Sequence, residues 1–218
     1  MIRWVGNEKG VAPYPCWSTV ETGTAADGTE EGRFSGNPGG GLWMPGECDV
    51  PVRNHEWFWN PGQEHLCYSV SELMDMYYRS VGRNCNLLLN ANPGPNGLVP
   101  DADFERYRAF GREIQRRFSS PLGTAQGEGD VIDLDLGAAK RINHVSIMED
   151  IGYGERILRY VVEAYSEDST WRPVCYGESV GHRRLQQFAT IETARIRLNV
   201  TGAKGRPMIR QLSVHHVV

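Results

Sequence analysis

The sequence predicts two different grammars in one chain, an α/β part followed by an all-β part. Three observations carry this. A short apolar run, Cys85 to Leu89, shows no alternation and is flanked by helical patterns on both sides. That is how a parallel strand reads when both of its faces are buried. After Gly129 the pattern changes to short alternating strands, which is the pattern of an antiparallel β-sandwich. Between them, Thr124 to Gly129 is rich in small residues and reads as a linker. The expected division is therefore an α/β region over 1–123 and a sandwich over 130–218.

The chain opens on a short strand-like piece, Ile2 to Val5, and then a polar turn, Gly6-Asn7-Glu8-Lys9-Gly10. In a β/α barrel, catalytic groups sit on turns that follow strands, so Glu8 is a candidate. The competing reading is an exposed loop glutamate. Val11 to Glu47 is rich in Gly, Pro, Thr and Ser, and it carries Trp17, Phe34 and Trp43. A loop this long inside a domain is usually functional, so it reads as an ordered active-site loop.

Gly46 to Trp59 is the densest polar and aromatic cluster, with Glu47, Asp49, Arg53, Trp57 and Trp59. Carboxylates and a guanidinium bind hydroxyls, and flat rings stack on sugar C–H faces. The structural alternative makes Asp49 and Arg53 an ion pair and buries Trp57 and Trp59. Ser69-Val70-Ser71-Glu72 is a capping box that opens a helix. Val70, Leu73, Met74, Tyr77 and Val81 follow at helical spacing, and Gly82 is placed to stop it. The apolar strand ends at Asn90-Ala91-Asn92-Pro93, which cannot continue a ladder. Asp101 is the expected cap of the next helix, with Asp103 beside it and an apolar face of Phe104, Tyr107, Gly111, Ile114 and Phe118. Helix, buried strand, polar loop, helix belongs to a β/α barrel or an open α/β sheet.

In the second part, Ile132, Leu134 and Leu136 alternate. Val145 with Ile147, Tyr160 with Val162 and Ala164, Ile196 with Leu198 and Val200, and Leu212 with Val214 do the same. Asp133 and Asp135 fall on the other side of the first of these strands.

Composition excludes several classes. The net charge of -4 is mild and no basic cluster points to nucleic acid. No apolar run is long enough to span a membrane, and no leader-like stretch opens the chain. The 5 cysteines form no CxxC pair and no zinc spacing, which favours free thiols. The 6 histidines show no ligand spacing, and His215-His216 reads as the end of a last strand. No cofactor or metal is expected. Asn199-Val200-Thr201 is a formal glycosylation sequon in mid-strand.

Several motifs carry a family resemblance. RWVGNE at Arg3 to Glu8, PGECDVPVR with WFW at Pro45 to Trp59, and SVGRNCNLLLN at Ser80 to Asn90 resemble the second half of an α-L-fucosidase of glycoside hydrolase family 29. MEDIGYGERILRYVVEAY and GESVGHRRL resemble the β-sandwich that follows the barrel in that family. The resemblance implies the end of a (β/α)8 TIM-type barrel, its last three or so units over Met1 to Phe118, followed by an antiparallel, galactose-binding-like β-sandwich. A whole barrel takes about 250 residues, roughly thirty per unit.

It also implies a retaining glycosidase acting on a fucosylated oligosaccharide or glycoconjugate. Two carboxylates about 5 Å apart flank the scissile bond, and ionising one raises the pKa of the other. Glu8 matches the acid/base of the subgroup that cleaves α-1,3 and α-1,4 linkages on branched glycans, and Glu47 is the competing candidate. The implied substrate-binding set is Glu47, Asp49, Arg53, Trp57 and Trp43. The family's nucleophile is an Asp in a W-F-D type segment, some tens of residues before the GNE motif. Neither that Asp nor the strands with the fucose-binding His and Trp occur in this sequence. The expectation is therefore a C-terminal fragment, inactive without the first half of the barrel. The alternative is a non-catalytic protein whose sandwich binds carbohydrate or is structural.

Overall fold

The computed structural model describes residues 1–21 and 34–218. Its first part is built on a parallel three-stranded sheet: β1 (Arg3–Trp4), β4 (Gly46–Pro51) and β5 (Cys85–Asn90), in the order β1-β4-β5. A small antiparallel ribbon, β2 (Thr19–Val20) with β3 (Leu42–Trp43), lies between β1 and β4 in the chain. Trp17 of the intervening loop is buried, and Phe34 is half-buried.

The period of two divides the parallel sheet into unlike faces. Cys48, Val50 and Cys85 point to a covered face, where Val50 joins Leu73, Met74 and Tyr77 of α1 (Val70–Arg79). Trp4, Glu47, Asp49, Asn86 and Leu88 share the other face. The run Cys85 to Leu89 is therefore covered on one face and open on the other. Leu88 is 41% exposed and Trp4 43%. Asn86 interrupts the apolar run on that second face, a signal already present in the sequence.

The capping box forms as expected. Ser69 Oγ accepts from Glu72 N at 3.2 Å, and Glu72 Oε2 accepts from Ser69 N at 2.7 Å. The second helix, α2 (Asp101–Phe118), differs from its sequence reading in two ways. Pro100 holds the cap position, Asp101 is the first helical residue, and Asp103 is fully buried. The packed face also runs through Phe110, which lies 6.1 Å from the ring of Tyr77. Phe104 is 52% exposed, beneath the Arg108 guanidinium. Asp103 and Phe110, seven residues apart, share the packed face, and Phe104 does not.

The expected linker is a strand. β6 (Gly123–Glu128) pairs antiparallel with β11 (Met208–His215), with Leu212 opposite Ala125 and Val214 opposite Gly123. The six-stranded sheet runs β6-β11-β7-β10-β8-β9, with β7 (Val131–Glu149), β8 (Ile157–Tyr165), β9 (Trp171–Glu178) and β10 (Arg184–Ala203). Its small residues are a packing requirement rather than a flexible tether. A Cβ at Gly123 would stand 2.5 Å from Leu136 Cδ2, and one at Gly127 would stand 3.1 Å from Ile132 Cδ1. β6 belongs to the antiparallel sheet, and residues 119–122 connect α2 to it.

Those contacts also show how one sheet becomes two layers. β11 hydrogen-bonds to the far end of β7, from His144 to Glu149. β6, on the other side of β11, meets the near end of β7 face on, at Ile132 to Leu136. The sheet therefore folds over itself. Its alternating residues, Ile132, Leu134, Val145, Ile147, Ile196 and Leu198 among them, fill a single core. Register shifts in β10, between Gln187 and Ile191 and between Thr193 and Arg195, fall along the strand that spans the fold.

The two parts are joined by polar and aromatic contacts. Asn84, at φ 63°, donates to Cys16 O at 3.1 Å and accepts from His182 N at 2.7 Å. The Glu155 carboxylate accepts from Ser18 N at 2.8 Å and from the Asn84 amide. Tyr78 Oη lies 2.8 Å from His144 Nε2, and Phe118 meets the His215 ring edge-on at 5.4 Å. Burial and the nearby Arg117 push His144 down to about 4, so it stands neutral in this junction.

Candidate active site at the carboxyl end of the parallel sheet

The turn after β1 is shaped by two glycines with positive φ, Gly6 at 82° and Gly10 at 64°. A Cβ on Gly6 would stand 2.0 Å from the Phe34 ring. Asn7 braces the turn from within, donating to Val11 O at 3.0 Å and accepting from Lys9 N at 3.1 Å. Gly10 N donates to Asp49 O at 3.0 Å, which pins the turn to β4. The exposed carboxylate of Glu8 is thus carried on a fixed support. Its Oε2 accepts from Trp57 Nε1 at 3.0 Å.

Trp57 is held in turn by the end of β5. Asn90 Nδ2 donates to Trp57 O at 3.2 Å and to Asn92 Oδ1 at 2.7 Å, and Asn92 Nδ2 donates to Glu56 O at 2.7 Å. The turn cluster that ends β5 in the sequence therefore buttresses the loop that meets Glu8. Both carboxamides were visible only as strand-ending residues; their role as a brace needs the neighbouring loop.

Glu47 and Asp49 lie on the open face of the sheet, lower than Glu8. Glu47 is the second residue of β4 and stands opposite Trp4 and Asn86 in register. Its Oε2 accepts from Asn86 Nδ2 at 2.8 Å. Asp49 Oδ1 accepts from Trp4 Nε1 at 2.6 Å. Glu47 therefore lies near the amino end of its strand, with Glu8 beyond the carboxyl end of β1.

Two expected sugar-binding residues are placed elsewhere. Arg53 is 0% exposed, and its Nε lies 3.0 Å from both carboxylate oxygens of Asp103. Its Nη1 donates to Asn60 O at 3.3 Å. Arg53 is a structural tie between the loop after β4 and α2, and its ion-pair partner is Asp103 rather than Asp49. Trp43 stands before β4 begins, beside a cavity of about 270 Å³ with Pro45, Cys85, Asn86 and His182. That is the amino end of the parallel strands. β4 is 6 residues long, which puts the two ends about 17 Å apart.

The remaining aspartates are also committed. Asp133 pairs with Arg197 at 2.7 Å and Asp135 lies 3.7 Å from Arg195, both on the surface of the antiparallel sheet. Among the described residues, no group of three His, Cys, Asp or Glu is arranged to hold a metal ion. All 5 cysteines are free, yet three that are scattered in the sequence converge. Cys16, Cys48 and Cys85 pack together beneath the sheet, with Cys48 Sγ 3.1 Å from Cys85 Sγ. The hydrogen bond with Cys85 and burial hold the Cys16 thiol well above the ordinary range, so Cys16 stays protonated.

No family model matches the chain. Among curated proteins, it is 32% identical to an Oryza sativa subsp. japonica protein provisionally named alpha-L-fucosidase 1, over 95% of this chain and 46% of the rice protein. It is 29% identical to alpha-L-fucosidase 1 of Arabidopsis thaliana, over 98% of this chain and 49% of that protein. The chain thus spans about half the length of the curated relatives it matches. Among solved structures, a protein of Bacteroides thetaiotaomicron VPI-5482 provisionally named α-L-fucosidase superposes with a TM-score of 0.95 at 40% identity. That match covers 100% of this chain and 51% of the other. A glycoside hydrolase 29 family member from an unknown rumen bacterium gives 0.88 at 31% identity, covering 100% of this chain and 41% of that one.

Proposed function

Since this chain corresponds in sequence and fold to the C-terminal half of the family 29 α-L-fucosidases, we propose that it supplies the acid/base side of a retaining α-L-fucosidase site. The observation that carries this reading is the support of Glu8. The carboxylate stands beyond a parallel strand, on a glycine-framed turn, and is oriented by the indole N–H of Trp57.

In this reading the parallel sheet and its helices are the last units of a (β/α)8 barrel, whose chemistry lies at the carboxyl ends of the strands. Glu8 protonates the glycosidic oxygen as the bond to fucose breaks, then removes a proton from the water that completes hydrolysis. The Trp57 hydrogen bond holds one oxygen of Glu8, which leaves the other to face the leaving group. Glu47, held by Asn86 on the barrel-facing side of β4, contacts substrate or supports the site from below, with Asp49 beside it. The substrate is a fucosylated oligosaccharide or glycoconjugate, with α-1,3 or α-1,4 linkages on branched glycans as the preferred class. A Ruminococcus gnavus GH29 fucosidase solved in complex with fucose, 26% identical over 100% of this chain and 51% of its own, supports fucose as the sugar that is bound.

In this reading the second carboxylate of the pair comes from the N-terminal half of the barrel. Asp103 is spent on Arg53, and Asp133 and Asp135 lie on the antiparallel sheet. The isolated chain is therefore expected to be inactive. Joined to the N-terminal half of the Bacteroides relative, it should release fucose from an aryl α-L-fucoside. Hydrolysis by the purified 218-residue chain at enzymatic rates, or a well-folded fusion with no activity, would refute the reading.

A further inference from the structure

The antiparallel sheet carries on its outer face a cleft of about 470 Å³, with Tyr14, Arg159, Tyr176, Glu178 and Thr201 in its lining. The strand period builds it. Arg159 and Val161 of β8 stand opposite Glu178 and Tyr176 of β9, while Tyr160 and Val162 turn inward to the core. Thr201 of β10 flanks Arg159 from the other side, next to Gly202, the register partner of Arg159. Tyr14, from the loop after β1, closes one wall. Its hydroxyl donates to Glu178 O and accepts from Glu178 N, both at 2.6 Å, and its ring lies 4.1 Å from the Arg184 guanidinium. That wall is held by the protein itself.

The chemistry of the lining is specific. Tyr176 is 66% exposed, although it sits in the middle of a strand. Arg159 and Glu178 are register partners, and paired Cα atoms stand about 5 Å apart. Yet they form no ion pair with each other, and among the described residues neither head group has another partner. A fork of donors and a pair of acceptors thus stand side by side. A ring with hydroxyls on adjacent carbons uses both: the guanidinium donates to one oxygen, and the carboxylate accepts from the next. The opposite charges cancel, so the cleft favours neither anions nor cations. Exposed charges contribute little affinity by themselves. The larger share falls to the Tyr176 ring, whose flat face suits the C–H face of a pyranose.

We propose that this cleft is a carbohydrate-binding site of the antiparallel sheet. It takes one uncharged hexopyranose unit, stacked on Tyr176, with a pair of adjacent hydroxyls held between Arg159 and Glu178. The cleft shares no residue with the Glu8 turn or the Trp57 loop, so the proposal does not depend on the fucosidase reading. Because Tyr14 supplies a wall, the site needs both parts of the chain.

Titration of the isotope-labelled 218-residue chain with lactose, whose two rings are uncharged hexopyranoses, tests this by amide NMR shifts. Shifts should move at Tyr176, Gly177 and Glu178, and not at Glu8 or Trp57. Tyr176→Ala should weaken binding at least about tenfold, and Arg159→Gln and Glu178→Gln about fivefold each. All three side chains are exposed, so the variants should melt at the temperature of the parent chain. Glycine, which can bridge Arg159 and Glu178 by charge alone, should not displace lactose at equal concentration. No binding of lactose, or shifts centred on Glu8 and Trp57, would overturn the proposal. So would binding that survives Tyr176→Ala unchanged, no loss in either polar variant, or displacement by glycine.

Discussion

Arg53 shows how little a residue type says about its role. In the sequence it sits within the densest cluster of carboxylates and tryptophans, where a guanidinium suits sugar hydroxyls. In the structure it is fully buried, and both carboxylate oxygens of Asp103 face its Nε. Cys67 Sγ donates to the same carboxylate at 3.2 Å. A buried pair of this kind is costly to break, because the surviving charge is left without a partner. We expect Asp103→Asn to lower unfolding free energy by about 3–5 kcal/mol in urea titrations. Asp49→Asn, which removes charge from an open position, should cost under about 1 kcal/mol. Equal costs would mean that the buried Arg53–Asp103 pair contributes no more to stability than Asp49 does. The partner was not legible because it lies fifty positions on, in a helix whose first turn reads as a set of caps.

Among the elements, β6 is the clearest departure from the sequence reading. Gly123-Thr124-Ala125-Gln126-Gly127 has the composition of a linker, and a linker with small residues is ordinarily flexible. Here the missing side chains let the strand lie against Ile132, Leu134 and Leu136 while it pairs with β11. The longer alternating strands were legible because one face of each meets a single core, and the period of two records that directly. β6 carries no such period, since its inward positions are glycine and alanine. A sandwich starting at residue 120 should therefore unfold cooperatively. One starting at residue 130 should lose roughly 2–4 kcal/mol by uncovering those three side chains. Circular-dichroism melts of the two fragments measure this, and indistinguishable melts would show that β6 is dispensable. The capping box and strand β5 were also readable, the first because it is local. The open second face of β5 was legible only in part, since Asn86 breaks its apolar run and Leu88 does not.

For the molecule as a whole, the order of parts and the motifs were in the sequence: a parallel α/β region, then a folded antiparallel sheet. What needed the structure was which end of the parallel strands each motif occupies. Glu8 and Trp57 meet beyond the carboxyl ends, braced by Asn90 and Asn92. Trp43 lies at the amino end, and Glu47 sits near the start of β4. Sequence order cannot give this, because parallel strands bring together residues about forty positions apart. The central claim is that Glu8 is the acid/base, and its most direct test is Glu8→Gln in the active fusion with the Bacteroides N-terminal half. Turnover of a natural-type fucosylated glycan should fall at least about a hundredfold, since the leaving oxygen then lacks its proton donor. An aryl fucoside with a good leaving group should lose much less in its first step, and added azide should restore the second. Equal loss on both substrates with no azide rescue would contradict the claim and move the role to Glu47.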